Sequence, residues 1–265
     1  MDSHILRRAA EAAAQGEAAV LITLVAVKGP APREPGARML LFANGTTEGT
    51  IGGGQLEQWA VSEALALHVE GAQTKLAAHT LMDRGLRCGG GEATLFFEAV
   101  TPEKRLVIFG AGHVGMSLAR LSRETAAFPV DVYDAHEERA IEIAPGLTVV
   151  HVPDYAALPV FSQWAYAVIC TDSHAADLQV AQHLLAQAAG PAYVGMLGST
   201  AKSEQIRARL REAGIPPERV AAMHCPVGLP IGGRSPGLVA LSILAEVVAF
   251  HHGRLAEVQA RAERR

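Results

Sequence analysis

Gly110-Ala111-Gly112-His113-Val114-Gly115 carries the glycine spacing that brings a backbone against a phosphate. The first glycine permits a tight turn after a strand. The second lets the backbone approach an anion, and the third lets the following helix pack closely on the strand. The helix start adds unpaired N–H groups and a positive dipole end. Asp134 stands 19 residues after Gly115, at the end of the next predicted strand. An acidic side chain there bonds a ribose hydroxyl; its alternative role is to cap the segment that follows.

Two more glycine runs, Gly52-Gly53-Gly54 and Cys88-Gly89-Gly90-Gly91, expose consecutive N–H groups and can form anion nests. Arg87 favours the thiolate of Cys88, a soft ligand for a transition metal or a nucleophile toward sulfur. The alternative is a flexible turn with an incidental cysteine. Arg33 and Arg38 flank a Pro-Gly turn and suit bidentate pairing with a phosphate, or are solvated surface residues. Cys170 lies in an apolar run and reads as a small core residue. Cys225 lies in a loop. Three loops fall beyond the carboxyl ends of predicted strands, where α/β sheets bind ligands. They are Thr171-Asp172-Ser173-His174, the loop from Gly198 with Ser199 and Lys202, and the loop from His224 with Cys225. His174 with Asp172 reads as an acid–base pair or as an exposed histidine at a helix cap.

Periodicity supplies the elements that must hold these loops. Strands are predicted at 20–27, 37–42, 47–51 and 94–100, with a helix at 56–69 whose apolar residues Leu56, Ala60, Ala64 and Leu67 recur at helical spacing. Thr101-Pro102-Glu103-Lys104 reads as a boundary. Beyond it strands alternate with helices: strands at 105–109, 130–133, 147–150, 166–170 and 193–197, and helices at 114–123, 137–143, 176–188, 202–213 and 237–251. Ser235-Pro236 has the cap-then-proline signature of a helix start. The fold expected is α/β: a Rossmann-like, doubly wound parallel sheet over 105–254, preceded by a smaller α+β domain over 1–100 and followed by a tail at 255–265.

Composition narrows the function classes. Of 265 residues, 49% are hydrophobic, enough for a substantial core. A net charge of −4 and 5% aromatic residues leave no electrostatic footprint or stacking platform for nucleic acid. No run approaches the roughly 18 apolar residues of a membrane span, and residues 1–16 lack the apolar core of a secretory signal. Three scattered cysteines make no disulfide framework and point to a reducing cytoplasm.

Taken together, several motifs resemble the XdhC/CoxI family. In the first domain these are the segment Lys28-Gly29-Pro30-Ala31-Pro32-Arg33-Glu34-Pro35-Gly36-Ala37-Arg38-Met39, the segment Gly49-Thr50-Ile51-Gly52-Gly53-Gly54-Gln55-Leu56-Glu57, and Cys88-Gly89-Gly90. In the second they are the Gly110 motif, Tyr193-Val194-Gly195-Met196-Leu197-Gly198-Ser199 with Lys202, and Cys225-Pro226-Val227-Gly228-Leu229-Pro230-Ile231-Gly232-Gly233 with the helix after Ser235. Many members carry two adjacent cysteines where this chain has Arg87-Cys88. The resemblance covers about residues 10–254. It implies an accessory protein rather than an enzyme: a chaperone, often dimeric, that binds the molybdenum cofactor and protects it while an oxo ligand is exchanged for sulfide. It then inserts the cofactor into apo xanthine dehydrogenase or a related molybdenum hydroxylase, with a cysteine desulfurase-type protein as sulfur donor. The cofactor is an anionic pterin, molybdopterin, with a terminal phosphate or a nucleotide extension. The competing expectation is an NAD(P)-dependent oxidoreductase using the Gly110 site and Asp134, with His174 or His224 as acid–base residue. A scaffold without a small ligand leaves the glycine runs unexplained.

Overall fold

A computed structural model describes residues 3–70, 72–81 and 91–263. The chain divides into two compact units, Met1–Glu103 and Lys104–Arg265. Among the described residues, no helix is long and apolar enough to cross a membrane.

The first unit runs α1 (Ser3–Gln15), β1 (Ala19–Lys28), β2 (Arg38–Phe42), β3 (Thr47–Gly49), α2 (Gly54–Glu70), β4 (Thr74–Thr80) and β5 (Glu92–Val100). Its antiparallel sheet has the order β3-β2-β1-β5-β4. Successive side chains on a strand point to opposite faces. Accordingly Val20, Ile22 and Leu24 of β1 join Met39 and Leu41 of β2 under α2, packed on Leu56, Ala60, Ala64 and Leu67. The intervening Ala19, Leu21, Leu40 and Phe42 pack under α1, against Ile5, Ala9 and Ala12. Burial on both faces is why β1 reads as a continuous apolar run.

The second unit runs β6 (Arg105–Phe109), α3 (His113–Glu124), β7 (Val130–Asp134), β8 (Glu142–Ala144), β9 (Leu147–His151), β10 (Ala165–Ile169), α4 (His174–Ala186), β11 (Tyr193–Met196), α5 (Thr200–Glu212), α6 (Pro217–Ala222), α7 (Pro236–His251) and α8 (Leu255–Glu263). The sheet order is β11-β10-β6-β7-β9-β8. All pairs are parallel except the edge pair β8–β9. Val107, Phe109, Ala167 and Ile169 face the side covered by α4 and α5; Leu106, Ile108, Tyr166 and Val168 face the side covered by α3 and α7. This is a doubly wound, Rossmann-like unit preceded by a smaller α+β unit.

One local expectation is corrected, and other elements appear where none was predicted. Residues 137–143 form one 3-10 turn at Glu137–Arg139 and then β8, not a helix. Gly146, at φ +74°, turns the chain so that Glu142 pairs with Thr148 and Ala144 with Leu147; ladder bonds on the sheet edge outweigh a weak helix preference. Strand β4 falls where no element was predicted. The segment 255–265, expected as a tail, is helical over Leu255–Glu263.

Candidate functional site

Strand order reverses at β6, so the crevice of the second unit opens beyond the carboxyl ends of β6 and β10. Gly110 follows β6 at φ +109°, and a Cβ there would run into the Cys170 carbonyl. Gly115, in the first turn of α3, lies so close to the loop that a Cβ would fall on the Gly110 carbonyl oxygen, with Cys170 Sγ 3.2 Å away. Gly112 differs. It is the N-cap of α3, no side chain caps the helix there, and a Cβ would meet nothing within 4 Å. The motif thus contains two packing glycines and one that borders open space at an uncapped helix start. That arrangement suits close approach of a phosphate.

Asp134 ends β7 and is buried, 1% exposed. Its Oδ2 accepts from Ala111 N at 2.6 Å and lies 3.2 Å from Arg139 Nη1, and its Oδ1 accepts from His136 N at 2.8 Å. The carboxylate therefore fastens the glycine loop to the end of β7. Asp172 pairs with His136 rather than with His174: His136 Nε2 lies 2.6 Å from Asp172 Oδ2, and Arg139 Nη1 lies 3.4 Å from the same oxygen. His174 is the exposed first residue of α4, which Ser173 caps by accepting from Ala176 N at 3.1 Å.

Lys202 turns inward. Its Nζ pairs with Asp177, which is 1% exposed, and donates to Leu197 O at 3.1 Å. Asp177 Oδ1 also accepts from Thr171 Oγ1 at 2.6 Å and Thr171 N at 3.1 Å. This pair ties the loops after β10 and β11 together at the rim of the crevice. Ser199 Oγ caps α5, accepting from Lys202 N at 3.2 Å. Cys170 is buried, with Sγ 3.6 Å from Gly110 O. Burial, and then the nearby Asp177 and Asp134 carboxylates, push its thiol up to about 12, so it is a packing residue. Cys225 is half-buried beside the core under α5, and its carbonyl accepts from Ser203 Oγ at 2.7 Å. His224 lies 3.0 Å from buried Glu246, which also accepts from Tyr193 Oη at 2.6 Å and Gly228 N at 2.8 Å.

In the first unit, three stretches of chain meet at one end of the sheet. The β1–β2 loop carries Pro32, and a Cβ on Gly52 would lie 2.5 Å from the Pro32 ring. Gly91 sits against the Lys28 and Pro30 carbonyls, and its own carbonyl accepts from Leu81 N at 2.6 Å. Arg33 and Arg38 line a surface groove that runs from Pro32 to Arg38. Cys88, Gly89 and Gly90 lie outside the described residues; the chain enters that segment at Leu81 and leaves it at Gly91, both beside these loops.

The run Gly52-Gly53-Gly54 is folded around a carboxylate of its own chain. Glu57 Oε1 accepts from Thr50 Oγ1 at 2.5 Å, Gly53 N at 2.9 Å and Ile51 N at 3.1 Å. Partial burial opposes this charge, but the hydrogen bonds from Thr50, Gly53 and Ile51 outweigh it and hold the carboxyl below the usual glutamate value. A depressed folded value adds stability at neutral pH that is lost as pH falls below the ordinary 4.5 and through the lowered value. Glu57→Gln is expected to destabilise the protein at pH 7 and to flatten the acid limb of its stability curve. Urea unfolding of both proteins over the acid range checks this; parallel curves would refute it.

Glu57 and Glu246 stand inside segments that carry the family resemblance, but the sequence reading gave them no role, and it passed over Asp177. Glu57 serves donors from the turn just before its own helix, where an acidic residue in the first turn is a readable signal. Asp177 and Glu246 gather donors from other parts of the fold.

Comparison with known proteins follows the same division of the chain. A model of the XdhC Rossmann domain matches residues 106–247, and a model of the XdhC and CoxI family matches residues 12–79. An uncharacterised protein of Escherichia coli (strain K12), YqeB, is 30% identical over 256 residues, covering 92% of this chain. This chain spans only 46% of the length of YqeB. The molybdenum cofactor insertion chaperone PaoD of the same organism is 27% identical over 286 residues, covering 94% of this chain and 89% of PaoD. A crystal structure of a xanthine dehydrogenase from Bacillus halodurans aligns over 95% of this chain and 96% of its own, with 20% identity and a TM-score of 0.49.

Proposed function

The chain belongs to the XdhC and CoxI family, and on that premise we propose that it binds the molybdenum cofactor and hands it to an apo molybdenum hydroxylase of the xanthine dehydrogenase type. The observation that carries this reading is Gly112. The uncapped start of α3 faces open space at the one glycine of the motif where a Cβ meets no protein atom. A terminal phosphate fits there, held by backbone N–H groups and the helix dipole. The relative PaoD is named as a cofactor insertion chaperone and aligns along nearly its whole length. In this reading the protein is an accessory that carries its cargo rather than a dehydrogenase. Cysteine desulfurase-type sulfur delivery, a homodimer and a cytoplasmic setting belong to the same reading.

In the first unit, taken by itself, Cys88 is proposed as a thiolate contact for the metal of the cofactor, and Arg33 and Arg38 as contacts for an anionic group. Cys170 is excluded from that role by its burial and raised pKa. Protein purified from a cofactor-producing cell is expected to release a fluorescent oxidised pterin after acid–iodine treatment, and to activate an apo-hydroxylase. Cys88→Ser is expected to lose on the order of tenfold or more in affinity, since removing a group that merely hydrogen-bonds to a metal's ligand already costs ~10–100-fold. It should also fail in transfer, while Cys170→Ala does both nearly normally. Absence of pterin from the wild-type protein would refute the function. Full binding and transfer by Cys88→Ser would move the metal ligand elsewhere, Cys225 first.

A further inference from the structure

We propose that the crevice of the second unit is shaped for a phosphomonoester and closed to a nucleotide, with Asp172 as the specificity-determining residue. The inference rests on the cofactor reading above and narrows it, because it selects the cofactor that ends in a phosphate over its nucleotide-extended form.

A dinucleotide in a doubly wound sheet places its pyrophosphate on the glycine loop and a ribose diol on the acidic residue that ends the second strand. The nucleoside beyond must then run between the loops that follow β7 and β10. The phosphate place is present at Gly112, where a Cβ would meet nothing within 4 Å. The ribose place is taken. Asp134 is 1% exposed, and its two oxygens already serve Ala111 N, His136 N and Arg139 Nη1. A sugar diol would have to displace donors from the loop that shapes the phosphate site itself.

The passage beyond is bridged. His136, from the loop after β7, meets Asp172, from the loop after β10, at 2.6 Å, and Arg139 approaches the same oxygen at 3.4 Å. Arg139 thus stands between both carboxylates, 3.2 Å from Asp134 and 3.4 Å from Asp172. Opening the passage breaks a charge-assisted contact and leaves Asp172 facing the anionic ligand. A phosphomonoester bound at Gly112 needs neither step.

The test compares three probes by quenching of protein or ligand fluorescence: molybdenum cofactor ending in phosphate, the nucleotide-extended cofactor, and NADH. Wild-type protein is expected to prefer the phosphate-terminated form by at least about tenfold. Asp172→Ala, a change at an exposed position, should improve binding of the extended form by a similar factor and leave the phosphate-terminated form within about twofold. His136→Ala removes the bridge from its other side and should repeat the gain. Equal binding of both forms by wild type, or an unchanged preference in both variants, would overturn the closure and leave the cofactor reading standing. Failure of both cofactor forms to bind wild type would instead refute the cofactor reading. The bridge is then decided by NADH, whose weak binding to wild type should rise in Asp172→Ala although Asp134 stays engaged; no rise in the variant overturns it.

Discussion

Gly115→Val is expected to destabilise the second unit by about 3 kcal/mol or more, the upper part of the range for overpacking. The added Cβ would fall on the Gly110 carbonyl, a backbone atom held in place by the turn after β6, with the buried Cys170 sulfur alongside. Neither neighbour is the flexible end of a side chain, so the strain cannot be relieved locally. For a unit the size of Lys104–Arg265 this corresponds to a fall in melting temperature of roughly 6–12 °C or more. Gly112→Val, three residues earlier in the same motif, should melt within about 2 °C of wild type and, on the proposed function, lose cofactor binding, because its side chain would enter the open space proposed for the phosphate. Calorimetry and cofactor titration on the two variants separate the roles. Equal melting temperatures for Gly115→Val and wild type, or unchanged affinity in Gly112→Val, would show that the glycines do not divide the work this way.

Asp177→Ala should cost about 3–5 kcal/mol, the usual consequence of leaving one member of a buried ion pair alone. Lys202 is 14% exposed and would keep its charge with only the Leu197 carbonyl as partner, while Thr171 would lose an acceptor for both its N–H and its hydroxyl. Adding Lys202→Met removes the stranded charge and should restore a large part of the loss, since a buried pair is worth little more than an apolar replacement. Urea unfolding of the two single variants and the double variant gives the coupling through a double-mutant cycle. A cost below about 1 kcal/mol for Asp177→Ala would mean that the pair is solvated and that the two loops are not tied by it.

Most strands and helices of the second unit were legible because each carries its own periodic signal and its own punctuation; β8 and the short α6 and α8 were not. Ser235-Pro236 is an instance: Ser235 caps α7 by accepting from Leu238 N, with Pro236 at the first helical position. Strand β4 was not legible. It lies at the edge of its sheet, its Ala-rich sequence has no strong β preference, and Leu76 is 65% exposed, so no contrast between two faces marks it. The stretch 137–143 misled because Glu-Glu-Arg favours a helix locally, whereas the Gly146 turn folds the chain back onto the adjacent β9. At the site, glycine spacing located the crevice but did not separate Gly112 from Gly110 and Gly115. That distinction depends on the folded turn, in which Gly115 packs on the Gly110 carbonyl and Gly110 packs on Cys170, 60 residues further along the chain. Asp134 read as a ribose contact from its spacing alone; its bonds to Ala111, His136 and Arg139 converge only in the folded chain.

The carboxylate of Glu57 inside its own glycine run acts as an intramolecular competitor. It is tethered four residues from Gly53, so its effective concentration at those N–H groups is on the order of millimolar or above. A diffusing phosphate at micromolar levels cannot displace it by mass action. Acidification reverses the contest, because protonation of Glu57 removes the competitor's charge and frees the same donors. At neutral pH the Ile51 and Gly53 N–H groups are therefore held by Glu57 rather than offered to a small anion.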